Sequence, residues 1–172
     1  MQENLSRAVR AALDAASRKI QVAGAKDRRS SDFWTRVSKD EFCLAASNEG
    51  CYACSSGSVE AARHGEWLYD VSWLRYRGGF SENAEARYFQ GVALAVESEW
   101  KRKRADLLDD FEKLLQSRAE LCLMIFEITS KRDFDEIVLF LRERIDRCIP
   151  GEETRFRFAG FYENSSMGFE FQ

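Results

Sequence analysis

Apolar side chains fall at Leu5, Ala8, Val9, Ala12, Leu13, Ala16 and Ile20. This helical repeat predicts a helix over residues 4–22. Its stripe is mostly alanine, which buries little area, so the helix is expected on the surface or against a partner. Residues 24–30, GAKDRRS, read as a break. The chain therefore divides into an N-terminal helical extension, 1–30, and a single α/β domain, 31–172. Ser31-Asp32 offers a helix N-cap, and Phe33, Trp34, Val37, Phe42, Leu44, Ala45 and Ala46 follow. They predict a second helix from 32 to 47, ended by Asn48-Glu49-Gly50. CYAC at 51–54 is a short buried strand, and SSGSVEAARHG is a loop.

From Glu66 the period changes. In EWLYDVSWLRYR, Trp67, Tyr69, Val71 and Trp73 alternate with Leu68, Asp70, Ser72 and Leu74. The aromatic and branched content supports a strand. GVALAVESEW is the strongest strand of the chain. Its run from Val92 to Val96 suits a strand covered on both faces, and it turns acidic at Glu97-Ser98-Glu99. Residues 103–118 and 132–148 carry helical repeats on either side of a second apolar strand, ELCLMIFEI at 120–128. RFRFAGFYE and MGFEFQ alternate like the strands of a C-terminal β-hairpin, with Glu163-Asn164-Ser165-Ser166 as the turn. The order α, α, β, β, β, α, β, α, β, β predicts an α/β fold with a mixed, partly parallel sheet flanked by helices.

Net charge is −3, which does not announce a strong phosphate binder. Local basic runs nevertheless occur at Arg28-Arg29 and at Lys101-Arg102-Lys103-Arg104. The cysteine count is odd, five, and the spacing irregular, as expected of a reducing compartment rather than a disulfide framework. The N-terminus lacks the apolar stretch of a signal peptide, and no run reaches the ~18 apolar residues of a membrane span. A cytoplasmic protein with no membrane partner is expected.

The acids at the end of the strongest strand call for an explanation. Glu97 and Glu99 are two apart, so on a strand they share a face with Ala93 and Ala95. Adjacent carboxylates repel and lose hydration on burial, a cost that a bound cation removes. Asp70 adds a third acid from the middle of the preceding strand. Carboxylate oxygens suit Mg2+ or Mn2+. The plainer alternative is that Glu97 and Glu99 mark where the strand emerges into solvent.

A strand bearing Asp, a following strand ending in Glu-x-Glu, then a helix and an apolar strand, resembles the core of the PD-(D/E)xK, restriction-endonuclease-like nucleases. Residues 32–128 match its αβββαβ order. The ESEW…DFEKLL pattern resembles uncharacterised bacterial members. The resemblance implies that Asp70 and Glu97 bind metal and that Glu99, where the family often has lysine, binds metal or orients water. It implies a lysine elsewhere, either Lys101 or, preferred here, Lys113 in DFEKLL, whose helix face Asp110 shares. Glu41 is a further acid of the first core helix, read as exposed. The function implied is a Mg2+- or Mn2+-dependent nuclease, acting on DNA rather than RNA. Lys101, Arg102, Lys103 and Arg104 would contact phosphates. The alternative is an inactive nuclease fold serving protein interaction, with a homodimer or protein partner held through the N-terminal helix.

Other constellations are weaker. Cys43, Cys51, Cys54 and His64 match no zinc pattern. His64 is the single histidine and has no nucleophile elbow nearby. Phosphate-binding loops of the GxxxxGK[ST] or GxGxxG type do not occur.

Overall fold

The computed structural model describes residues 2–24, 27, 30–57, 67–81, 83–101, 103–162 and 169–172. The elements run α1 (Gln2–Val22), α2 (Ser31–Asn48), β1 (Tyr52–Ser55), β2 (Val71–Tyr76), β3 (Phe89–Glu99), α3 (Arg104–Gln116), β4 (Leu121–Ile128), α4 (Lys131–Cys148), β5 (Phe156–Tyr162) and β6 (Phe169–Phe171). One mixed sheet holds the strands in the order β1-β2-β3-β4-β5-β6. The first three form an antiparallel meander. β4 and β5 then add in parallel, each after a helical crossover, and β6 closes antiparallel. The expected turn at 163–166 lies outside the described residues.

Helices cover both faces, giving two core layers. On one, α1 and α2 bury Leu13, Ile20, Trp34 and Phe42 against Trp73, Leu94 and Leu123. On the other, α3 and α4 bury Phe111, Leu114, Phe134 and Leu141 against Met124, Phe126 and Phe158. Ser30 and Ser130 cap α2 and α4 by accepting the Phe33 and Asp133 amides, which satisfies donors that the first helical turn leaves orphaned.

Three readings of the sequence need correction. The alanine stripe of α1 neither lies on the surface nor waits for a partner. Leu5, Val9, Ala12, Leu13, Ala16 and Ile20 are each 3% exposed or less, within the chain's own core. Small side chains let helices approach closely, and a Lys19–Glu41 ion pair ties α1 to α2. The stripe thus gives no ground for dimerisation through this helix. Second, the aromatic strand begins at Val71, so Asp70 stands just before it rather than in its middle, while Trp67 and Leu68 are exposed. Third, Trp73 pairs with Leu94 but Leu74 with Val92, so Ala93 is bulged. The bulge reverses the alternation, and Ala93 joins the α1/α2 layer while Ala95 joins the α3/α4 layer. Ala95 alone of the two continues Glu97's row.

Candidate functional site

The site forms where β2 begins and β3 ends. Val71 pairs with Val96, and continuing that register sets Asp70 beside Glu97. The Asp70 backbone is held by the Ser55 hydroxyl, which donates to its carbonyl at 2.7 Å. Its carboxylate is gripped from two elements. Oδ2 accepts the Ser98 amide at 2.9 Å and the Ser98 hydroxyl at 2.6 Å. Oδ1 faces Lys39 Nζ of α2 at 3.1 Å. That lysine is itself buried, and its ammonium also reaches Ser56 Oγ at 3.2 Å.

Glu97 is the most unusual acid among the described residues. It is 3% exposed at the end of an apolar strand. Burial pushes its carboxyl up to about 8, the neighbouring Asp70 charge pushes the same way, and the Lys113 ammonium opposes both. Lys113 reaches in from α3, 3.5 Å from Glu97 Oε1, while its shorter contact, 2.7 Å, is to Asp110. At 3.5 Å the bond is at the limit of hydrogen-bond geometry, and Oε1 makes no other. The Asp110 bond raises the Lys113 pKa, and the Glu97 charge adds to it. Lys113 therefore stays charged.

The remaining predicted residues are placed differently. Glu99 Oε1 accepts the Lys101 amide at 2.7 Å, closing the strand end. β3 stops at Glu99, so Lys101 does not continue its row. Its ammonium is well exposed and lies 3.8 Å from Asp106. Arg104 places its guanidinium 5.2 Å from the Phe140 ring centre. Arg102, Arg28, Arg29 and His64 lie outside the described residues. Glu41 is buried rather than exposed, and Lys19 occupies it. The structure thus brings together Asp70, Glu97 and Lys113, and does not bring Glu99 to the same point. Among the described residues, no three His, Cys, Asp or Glu side chains stand close enough to hold an ion by themselves.

Two participants escaped the sequence reading, Lys39 and Ser98. In the sequence Ser98 is only the spacer between two acids. Lys39 carries one faint signal, a lysine within three positions of Val37, Glu41 and Phe42, which are all buried. The cysteines behave as small core side chains. Cys43, Cys51, Cys54 and Cys122 are buried, and burial raises the thiols of Cys51 and Cys54 and takes Cys122 to about 11. A buried thiol held protonated is a poor zinc ligand and a poor redox group.

Compared with family models, with curated proteins and with solved structures, the chain matches none.

Proposed function

We propose that this protein is a divalent-metal-dependent nuclease with a restriction-endonuclease-like core, in which Asp70 and Glu97 hold Mg2+ or Mn2+. The observation that carries the reading is Glu97, a carboxyl buried at a strand end beside a second acid, whose Oε1 is met only at 3.5 Å by Lys113. A buried acid in that setting is costly unless a cation meets it. Mg2+ is commonly held by one or two carboxylates, with water and substrate phosphate completing its shell, so a two-acid donor set fits. The order α2-β1-β2-β3-α3-β4, with β4 parallel to β3, agrees with that core.

The ion would supply charge stabilisation at a phosphodiester and a more acidic bound water. The chain's own residues do the rest. Ser98 and Lys39 fix the Asp70 carboxylate so that it need not reorganise, and Lys113 offsets the anionic charge that builds at the reacting phosphate. One observation favours a second reading, a nuclease fold that has become an interaction module. Lys39 already neutralises Asp70, as an internal cation would.

Cleavage assays decide between the two. Purified protein is incubated with single-stranded and duplex DNA and RNA, with Mg2+ or Mn2+. Cutting that disappears in chelator, in Asp70→Asn and in Glu97→Gln supports the nuclease. Intact substrates at millimolar Mn2+ would remove it in favour of the interaction module.

A further inference from the structure

A cavity of about 270 Å3 opens at the C-terminal ends of β3 and β4, between the first turns of α3 and α4. Three cationic side chains line one wall, Lys101, Lys103 and Arg104. The floor is apolar, made of Leu107, Phe126 and Ile137. Two carboxylates also line the cavity, Glu127 and Asp133, and Asp133 Oδ2 is held by the Thr129 amide and hydroxyl, at 2.9 and 3.1 Å. Lys103, the N-cap of α3, makes no side-chain cap hydrogen bond, which leaves the first amides of the helix without a capping side chain beside that cationic wall.

The position links the cavity to the acids. Phe126 of the floor pairs with Glu99 across the parallel ladder, and Glu97 lies two residues back along β3, roughly 7 Å. Leu107, Phe126 and Ile137 belong to the α3/α4 layer, the side from which Lys113 meets Glu97. The volume is near the lower end of small-ligand sites, about 300–1,000 Å3, and the lining has the two halves of a nucleotide: cations for a phosphate, an apolar surface for a ring.

We propose that this cavity takes one unpaired nucleotide of a single-stranded nucleic acid, its phosphate held by Lys103 and Arg104 and its sugar or base set against Leu107, Phe126 and Ile137. The identity of the ligand rests on the nuclease reading, and it narrows that reading to unpaired substrates. A base inside an intact duplex is stacked and cannot enter a cavity of this kind.

The test is fluorescence anisotropy in EDTA, so that no metal contributes, with 5′-labelled single-stranded DNA and RNA oligonucleotides and the matching duplexes. Wild type should bind the single strands more tightly than the duplexes. Lys103→Gln/Arg104→Gln should weaken single-strand binding by about tenfold or more and lower the slope of log affinity against log salt by about 0.7, the loss of one neutralised phosphate. Ile137→Trp fills the cavity without changing charge and should weaken binding too. Lys131→Gln/Arg132→Gln, the same charge change on exposed α4 positions paired with Asp135 and Glu136, should leave it within about twofold. Circular dichroism checks the fold of each variant. Equal binding by wild type and the two cavity variants, absent binding by wild type, or a preference for duplex each overturns the proposal. If the cavity variants lose binding while no metal-dependent cleavage exists, the cavity stands and the nuclease reading falls. If cleavage is present but the cavity variants bind normally, the reverse holds.

Discussion

Replacing Glu97 with glutamine removes one ionisable group from the interior and keeps its size. The wild-type carboxyl shifts from the ordinary 4.5 to about 8, first through burial and then through Asp70. Below pH 4.5 the folded and unfolded chains both carry the proton, and the shift has no effect on stability. Between 4.5 and 8 the unfolded chain releases the proton while the folded chain keeps it, so stability falls by about 1.4 kcal/mol per pH unit. Above 8 both are ionised and the penalty is constant, on the order of 4–5 kcal/mol. Glu97→Gln has no such window. Its stability advantage over wild type should widen by about 3 kcal/mol from pH 5 to 7.5. For a chain of this size that is roughly 6–12 °C in melting temperature. Thermal melts of both proteins, followed by circular dichroism across that range without divalent ions, read the difference directly, and other titrating groups cancel. Saturating Mg2+ should shrink the gap by stabilising ionised Glu97. A gap that stays constant with pH would refute the burial argument.

Other perturbations have equally defined outcomes. Asp70→Ala leaves the buried Lys39 ammonium without its carboxylate and should cost about 2–4 kcal/mol in urea denaturation. Lys39→Met combined with Asp70→Ala should cost clearly less than the two single changes together, and additive losses would show that the pair is not coupled. Gly160→Ala would set its Cβ 2.6 Å from Ile128 Cδ1 and 2.7 Å from Phe134 Cδ2, an overpacking of about 1–3 kcal/mol in the same assay. Ser130→Ala removes the cap of α4 and should cost about 1 kcal/mol.

Much of the framework was legible because its signals are local. The unbroken Val92–Val96 run announced a strand covered on both faces, and the repeats of α3 and α4 announced their buried sides. What escaped depends on partners distant in sequence. The alanine stripe of α1 offers little area by itself, whereas close approach to α2 is what its small residues permit. The bulge at Ala93 shifts which side chains share Glu97's row, and a strict two-residue period cannot reveal it. Asp70 and Glu97 stood out as acids in apolar surroundings. Lys39 meets Asp70 only because α2 packs across the start of β2, a contact spanning 31 positions that no spacing rule contains.

The most direct test of the two-carboxylate cation site is calorimetric titration of the full chain with Mn2+ at pH 7, repeated in two buffers of different ionisation enthalpy. With Glu97 protonated at that pH, binding should release close to one proton, seen as a buffer-dependent heat. Glu97→Gln should bind far more weakly and release no proton. Absence of binding at millimolar Mn2+, or identical binding and proton release by wild type and Glu97→Gln, would contradict the site.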